Sequence, residues 1–260
     1  MYKHIIILLL AGILFSQVGR AQGPPITSDK PIMLGGNTVV LKTLTEIRNT
    51  EQGTFVNAPL MGHYIISANS LVALHLPYVH YDFNDASGRG SGSTLGDINL
   101  LGKYQFYRKD GTGKTFRMVA KTLQTMPTGK SLDIEEMSTG DYSGYYALVG
   151  GYESLKFGIS SEVGYRWVPD GTLDKFQAKL GFGLPLLKPT YPVNQLNLYF
   201  EYSSEWLHER DAYQLLYAQG IQYARKKWTW EMAIQLPLIQ DAPVSEQLNY
   251  AVFLGTRYIL

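Results

Sequence analysis

Apolar and polar residues alternate one by one over long stretches of this chain. The alternation is clearest in four segments: 156–168, 175–186, 195–206 and 228–238. A period of two gives a β-strand one apolar and one polar face. These runs are about twice the ~5–6 residues of an average soluble strand. Their length is close to that of a tilted strand that crosses a bilayer, which needs about 9–11 residues.

Weaker alternation predicts eight further strands, near 38–49, 54–66, 71–82, 96–108, 115–126, 143–152, 212–224 and 248–260. The total of twelve is even, as is typical of single-chain bacterial barrels. Short connections alternate with the longer loops Phe83–Leu95 and Pro127–Tyr142, although Leu187–Asn194 is long where a short turn is expected. The pattern predicts an all-β fold, a transmembrane antiparallel up-and-down β-barrel over residues 38–260.

The N-terminus has the pattern of a secretory signal peptide. A basic start, Met1–Lys3, precedes the apolar run Ile5–Phe15 and the small residues of Gly19-Arg20-Ala21. This predicts a signal peptide over residues 1–21. A retained anchor is the alternative, but the apolar run is too short to span a bilayer comfortably. Residues 22–37, which contain Pro and Gly, form either a periplasmic lead or a plug in the barrel lumen.

Composition supports export and removes several classes of function. Charged residues make up 17% of the 260, against about 25% in soluble domains, and 19 tyrosines are present. The aromatic residues gather near the predicted strand ends, where rings can lie at lipid headgroup level. A net charge of +1 argues against a nucleic-acid partner, and the lack of cysteine excludes disulfides and thiolate metal sites.

No motif in the chain predicts catalysis, a cofactor or a metal. Gly111–Thr115 and Gly129–Ser131 resemble the end of a phosphate-binding loop, but both lack its first glycine and a following helix. Four histidines lie in the predicted mature chain: His63, His75, His80 and His208. None of them has Ser or Thr two residues away, as one Ser/His dyad arrangement requires. We therefore expect no enzyme, and a lipid hydrolase is the least favoured alternative.

Charged residues on three successive predicted strands share the inward face. They are Glu162, Arg166, Lys175, Lys179, Glu201 and Glu205. Buried charges need partners, and both signs are present on neighbouring strands. The set could form salt bridges that merely fill the lumen, or a polar constriction that lines a pore and selects solutes. We predict the second and leave the first open.

Several segments resemble one family of Gram-negative outer-membrane proteins, the phenol-degradation meta-pathway (transporter-like) family. They are Pro25–Pro31, Ala58–Tyr64, His75–Tyr78, Gly96–Tyr104 and Thr125–Lys130. Lys30-Pro31 departs from the more common Arg-Pro. The resemblance implies a barrel that passes small, often hydrophobic, compounds across the outer membrane, and it implies no residue-level mechanism.

The sequence thus predicts an outer-membrane channel or transporter for small solutes, including hydrophobic or aromatic ones, with a narrow lumen. A closed structural or adhesive barrel that binds through its outer loops is the alternative. The expected partners are outer-membrane lipid, a small-molecule solute and the barrel-assembly machinery. The last follows from the C-terminal run Gly255–Leu260, which resembles the assembly signal but ends on Leu rather than Phe.

Overall fold

Strand pairing in the computed structural model follows the predicted order along the chain. The model describes residues 25–31, 33, 35–84, 90–132, 139–169, 174–187, 190, 192–242 and 247–260, so the predicted signal peptide lies outside the described residues. The strand segments are β1 (Thr38–Thr50), β2 (Gly53–Asn57), β3 (Leu60–Ser67), β4 (Ser70–Leu76), β5 (Tyr78–Phe83), β6 (Ser91–Leu95), β7 (Ile98–Gly111), β8 (Lys114–Met126), β9 (Ser143–Ser154), β10 (Gly158–Trp167), β11 (Lys175–Pro185), β12 (Asn194–Leu207), β13 (Ala212–Arg225), β14 (Trp228–Asp241) and β15 (Leu248–Ile259).

These segments form a closed barrel of twelve antiparallel strands. β2 with β3, β4 with β5, and β6 with β7 are each the two halves of one long strand, because both halves pair with the halves of the neighbouring strand. β15 pairs with β1 from Val40 opposite Ile259 to Thr50 opposite Leu248, which closes the sheet. The predicted twelve-stranded antiparallel barrel is confirmed.

Three neighbouring strands are interrupted at the same height. The breaks fall at Ala58-Pro59, Pro77 and Gly96-Asp97. Proline has no N–H to donate to a ladder, which explains two of them. The sheet nevertheless continues, because Ala58 and Tyr78 exchange backbone hydrogen bonds of 2.8 and 3.3 Å.

One segment differs from the prediction. Residues 83–95 were expected to be a loop, but β6 pairs with β5 from Tyr78 opposite Leu95 to Asp82 opposite Ser91. Its Ser-Gly-Ser-Thr sequence has no apolar alternation, so periodicity gives no signal. Gly92 suits this place because an added Cβ would lie 2.6 Å from the hydroxyl of Tyr81.

The barrel wall is apolar outside and polar inside, the reverse of a soluble core. Large apolar side chains on alternate positions are exposed, including Val163, Leu180, Met232 and Leu254. Buried polar side chains from the intervening positions include Glu162, Lys175, Asn197, Glu201, Gln222 and Glu231. An outer apolar band around a polar interior is the arrangement of a membrane barrel.

No helix within the described ranges is long and apolar enough to span a membrane.

The two ends of the barrel differ. At the terminal end, β1 begins and β15 ends, and the tight turns 68–69, 112–113 and 226–227 join strands. At the opposite, loop end lie the connections 84–90, 127–142, 168–174 and 242–247. Most short turns and longer loops thus lie at opposite ends, as in outer-membrane barrels, with two exceptions: the tight turn 51–52 lies at the loop end, and the long connection 186–193 lies at the terminal end.

Candidate functional site: the barrel lumen

Residues 25–31 and 33, here called the inner segment, lie inside the barrel. Ile26 is buried in a cluster with wall residues that include Tyr199 and Phe253. Met33 is buried in a second cluster, with Val40, Val119 and other wall residues near the terminal end. The inner segment therefore runs from the terminal end toward the middle of the lumen.

Glycines on the inner face of the wall make room for this segment. A Cβ at Gly151 of β9 would lie 2.8 Å from the Pro31 ring, and one at Gly181 of β11 would lie 2.9 Å from the Ser28 hydroxyl. A Cβ at Gly220 of β13 would overlap the Ile26 side chain. Any larger residue at these three wall positions would displace either the segment or the strand.

A wall carboxylate holds the backbone of the inner segment. Glu201 accepts hydrogen bonds from the N–H groups of Ile26 (2.9 Å), Thr27 (3.0 Å) and Ser28 (2.6 Å). The Thr27 hydroxyl adds a fourth at 2.8 Å. Hydrogen bonds to an ionised acceptor are roughly twice as strong as neutral ones, so this cradle fixes the turn at residues 26–28.

Asp29 lies between two wall lysines. Lys103 and Lys121 are directly opposite each other on β7 and β8, an arrangement of like charges that is unfavourable by itself. Asp29 forms an ion pair with Lys103 and another of 3.1 Å with Lys121. Burial alone would raise the pKa of Asp29, but the two lysines hold that pKa well below its usual range. The carboxylate is therefore ionised and neutralises the lysine pair.

A second pair of like charges on the inner wall is neutralised by the wall itself. Lys42 and Arg257 are opposite each other on β1 and β15. Glu231 of β14 contacts Lys42 at 3.3 Å and Arg257 at 3.0 Å. The Lys42–Arg257 pair thus takes its counter-ion from the wall, whereas the Lys103–Lys121 pair takes Asp29 from the inner segment and, at Lys121, also Glu162 of β10 at 3.0 Å.

A third ionic contact joins the segment to the wall. Lys30 forms an ion pair with Glu153 near the end of β9, and both side chains are largely buried. Together with Glu201 and the lysine pair, this gives three attachments spaced along the segment, of which two join opposite charges and the Glu201 one joins a carboxylate to backbone N–H groups and a hydroxyl.

A polar cavity of about 270 Å³ lies on the loop side of these contacts. Its lining comes from seven of the twelve strands and the loop after β8: Glu46, Asn57, Asp97, Asn99, Lys121, Leu123, Thr125, Thr139, Ser143, Tyr145, Glu162, Arg166, Gln177 and Lys179. Lys121 therefore faces both the cavity and Asp29. Asp97 binds the loop, since it accepts hydrogen bonds from the N–H groups of Gly129 (2.9 Å) and Gly140 (3.0 Å).

The six charged residues predicted to line a pore all have inward strand positions, but they divide into three groups. Glu162, Arg166 and Lys179 line the cavity. Lys175 and Glu205 form an ion pair of 2.9 Å. Glu201 contacts the inner segment instead of the other five.

Sequence reasoning missed several charged residues of the lumen. Asp29 has no periodic pattern around it, and Lys103 and Lys121 lie on strands with weak alternation. The segments that carry the family resemblance contained the one sequence signal that pointed to these lumen residues. Pro25–Pro31, Gly96–Tyr104 and Thr125–Lys130 are distant in sequence, yet Asp29 contacts Lys103 and Asp97 contacts Gly129.

Apolar side chains line the inside of the barrel at the loop end. Phe55 of β2 packs with Val79, Tyr81 and Phe83 of β5 and with Leu132 from the loop. Asn57, which lines the cavity, is two residues from Phe55 on the same face of β2. An apolar surface thus adjoins the polar cavity.

The outer wall carries one Ser/His contact. His80 Nδ1 lies 2.9 Å from the Ser93 hydroxyl, and both residues are exposed on β5 and β6. A hydrolase also needs a group that orients the imidazole and donors for an oxyanion. Within the described residues this imidazole has no second hydrogen bond. The same residues contain no group of three or more metal-ligating side chains.

Comparison with known proteins shows the fold. No family model and no curated sequence matches the chain. An outer-membrane channel from Pseudomonas putida F1 superposes with a TM-score of 0.68 at 13% identity, over 91% of this chain and 100% of that one. The KdgM porin superposes with a TM-score of 0.55 at 8% identity, over 84% and 98%. The likeness establishes an outer-membrane type of β-barrel fold.

Proposed function

We propose that the protein is an outer-membrane channel for small solutes, and that the inner segment is a plug that leaves its place to open the lumen. The observation that carries the proposal is the lysine pair on the inner wall: in the described structure Lys103 has its ion pair with Asp29 of the segment, and Lys121 has one with Asp29 and one with Glu162 of the barrel. When a plug moves out, water and solute take its place in the lumen and surround the lysines. A segment that fills the lumen permanently does not have to supply counter-ions, because the wall can supply all of them.

Two further features support passage of solutes. The polar cavity lies beside the plug, and the apolar cluster around Phe55 lies between that cavity and the loop end. A solute with an apolar part, including an aromatic one, has matching surface on this path. Two structurally similar proteins are an outer-membrane channel and the KdgM porin, and one structure of the KdgM porin is a complex with disordered oligogalacturonate.

Membership of the phenol-degradation meta-pathway family is part of the proposal. Its support is that the residues of three separate motifs meet in the lumen, at Asp29 with Lys103 and at Asp97 with Gly129. An outer-membrane location, contact with lipid around the apolar wall, and assembly through the last strand, which ends next to Leu260, belong to the same proposal.

Planar-bilayer recording of the refolded protein tests the function. We expect discrete currents from the wild type and a longer open time in the Asp29→Asn, Lys30→Met double variant, which removes both charges of the plug. Refolding is checked by heat-modifiable migration on gels. Silence of both folded proteins would refute a channel and favour a closed structural or adhesive barrel.

A further inference from the structure

Glu162 has one carboxylate oxygen without a hydrogen-bond donor in the described structure. Its Oε1 accepts from Lys121 at 3.0 Å and from the Tyr145 hydroxyl at 2.6 Å. Its Oε2 is buried and has no hydrogen-bond partner among the described residues, and the side chain is only 1% exposed. A buried acceptor of this kind is costly unless a ligand or water satisfies it.

Lys179 complements that oxygen. It lies directly opposite Glu162, on β11, and faces the same cavity. No ion pair joins the two side chains, and no hydrogen bond to the Lys179 ammonium occurs within the described ranges. An acceptor and a cationic donor thus face the same space without meeting each other.

The other carboxylates of the cavity already have donors. Asp97 accepts from two backbone N–H groups, and Glu46 forms an ion pair of 2.8 Å with Arg48. Lys121 is shared between Asp29 and Glu162. Among the charged groups of the cavity the open positions are therefore Lys179 and Glu162 Oε2, and among its neutral groups the buried Asn57 Oδ1 also has no hydrogen-bond partner in the described structure.

We propose that this cavity binds a small organic acid that carries a hydroxyl or ammonium group beside its carboxylate. The carboxylate of the solute accepts from Lys179, and the adjacent hydroxyl or ammonium donates to Glu162 Oε2. An ionised carboxylate can only accept, so an acid without that donor leaves Oε2 unsatisfied. This inference rests on the proposed function in one respect only: the cavity lies on the path that a solute takes through the proposed channel.

The size of the cavity limits the ligand. Pockets for drug-sized ligands measure about 300–1,000 Å³. At about 270 Å³ this one is below that range. Single hydroxy acids or amino acids fit, and longer chains of them would have to extend toward the apolar cluster at the loop end.

Ligand-observed NMR on the refolded full-length mature protein in detergent tests the site. Broadening of the methyl resonance is compared for L-lactate, L-alanine and propionate, which have similar carbon skeletons. We expect lactate or alanine to bind about tenfold more tightly than propionate, the factor for one hydrogen bond to a charged group. Lactate alone would assign hydroxy acids and alanine alone amino acids. Equal binding of propionate, or no binding of any probe, would overturn the proposal.

Matched variants locate the binding. Lys179→Met and Glu162→Gln should lose the broadening, whereas Lys114→Met and Glu51→Gln should keep it, because Lys114 at the start of β8 and Glu51 in a turn are both exposed. Lys179→Met is decisive if Glu162→Gln does not refold, because Lys179 forms no hydrogen bond to the described residues. Undiminished broadening in folded Lys179→Met overturns the site. If bilayer recordings show no currents while lactate still binds, only the channel is refuted. If currents occur but the lactate resonance is not broadened, only the site is refuted.

Discussion

Replacing Glu201 with alanine should release the inner segment from the wall. The change removes the acceptor of four hydrogen bonds, three of them from consecutive backbone N–H groups. Each hydrogen bond to a charged group contributes about 1.5–3 kcal/mol, and water entering the space restores part of the loss. One net bond lost already raises the ratio of undocked to docked segment about tenfold, and four at the lower value would change the free energy by about 6 kcal/mol.

Because the chain has no cysteine, a single introduced thiol reports the docking. The Ser28 hydroxyl is buried and has no hydrogen-bond partner in the described structure, so Ser28→Cys places the thiol under the segment at little cost. In the Glu201→Ala background the thiol should react with a maleimide at least about tenfold faster than in Ser28→Cys alone, in line with one lost bond. Glu201→Gln keeps an acceptor and should fall between the two.

Glu205→Ala is the matched control for this experiment. Glu205 lies on the same face of β12 but forms its ion pair with Lys175, at 2.9 Å. Its removal should leave the labelling rate of Ser28→Cys unchanged. Equal labelling rates in the Glu201→Ala and parent proteins would show that this carboxylate does not hold the segment, and would refute the reasoning.

Three further results are expected. Gly151→Ala brings a methyl 2.8 Å from the Pro31 ring, so the labelling rate should rise while the heat-modifiability of the barrel is retained. The pKa of Asp29 is lowered in the docked segment. Its contribution to docking is therefore present above the ordinary carboxyl pKa of about 3.9 and is lost only below it. Between pH 7 and pH 5, open times in bilayers should not lengthen through this group. Asp97→Ala frees the two N–H groups of Gly129 and Gly140, and proteolysis of the 127–142 loop should become faster.

Strand alternation was enough to predict the barrel because most strands have an apolar outer face and a polar inner face. The same alternation placed Glu162 and Glu201 on the inward face. It could not show that Glu201 binds backbone N–H groups, since the partner segment has no periodic pattern. Nor could it place Asp29 between Lys103 and Lys121, because that contact depends on the register of β7 with β8.

The three attachments of the inner segment also determine what kind of signal can move it. Moving one elementary charge through a membrane potential changes the energy by about 2.3 kcal/mol per 100 mV. The described residues of the segment carry one acid, Asp29, and one base, Lys30, so their displacement carries no net gating charge. An applied voltage therefore does almost no work on this segment, and in the proposed channel opening depends on chemistry that competes for its contacts with Glu201, the lysine pair and Glu153.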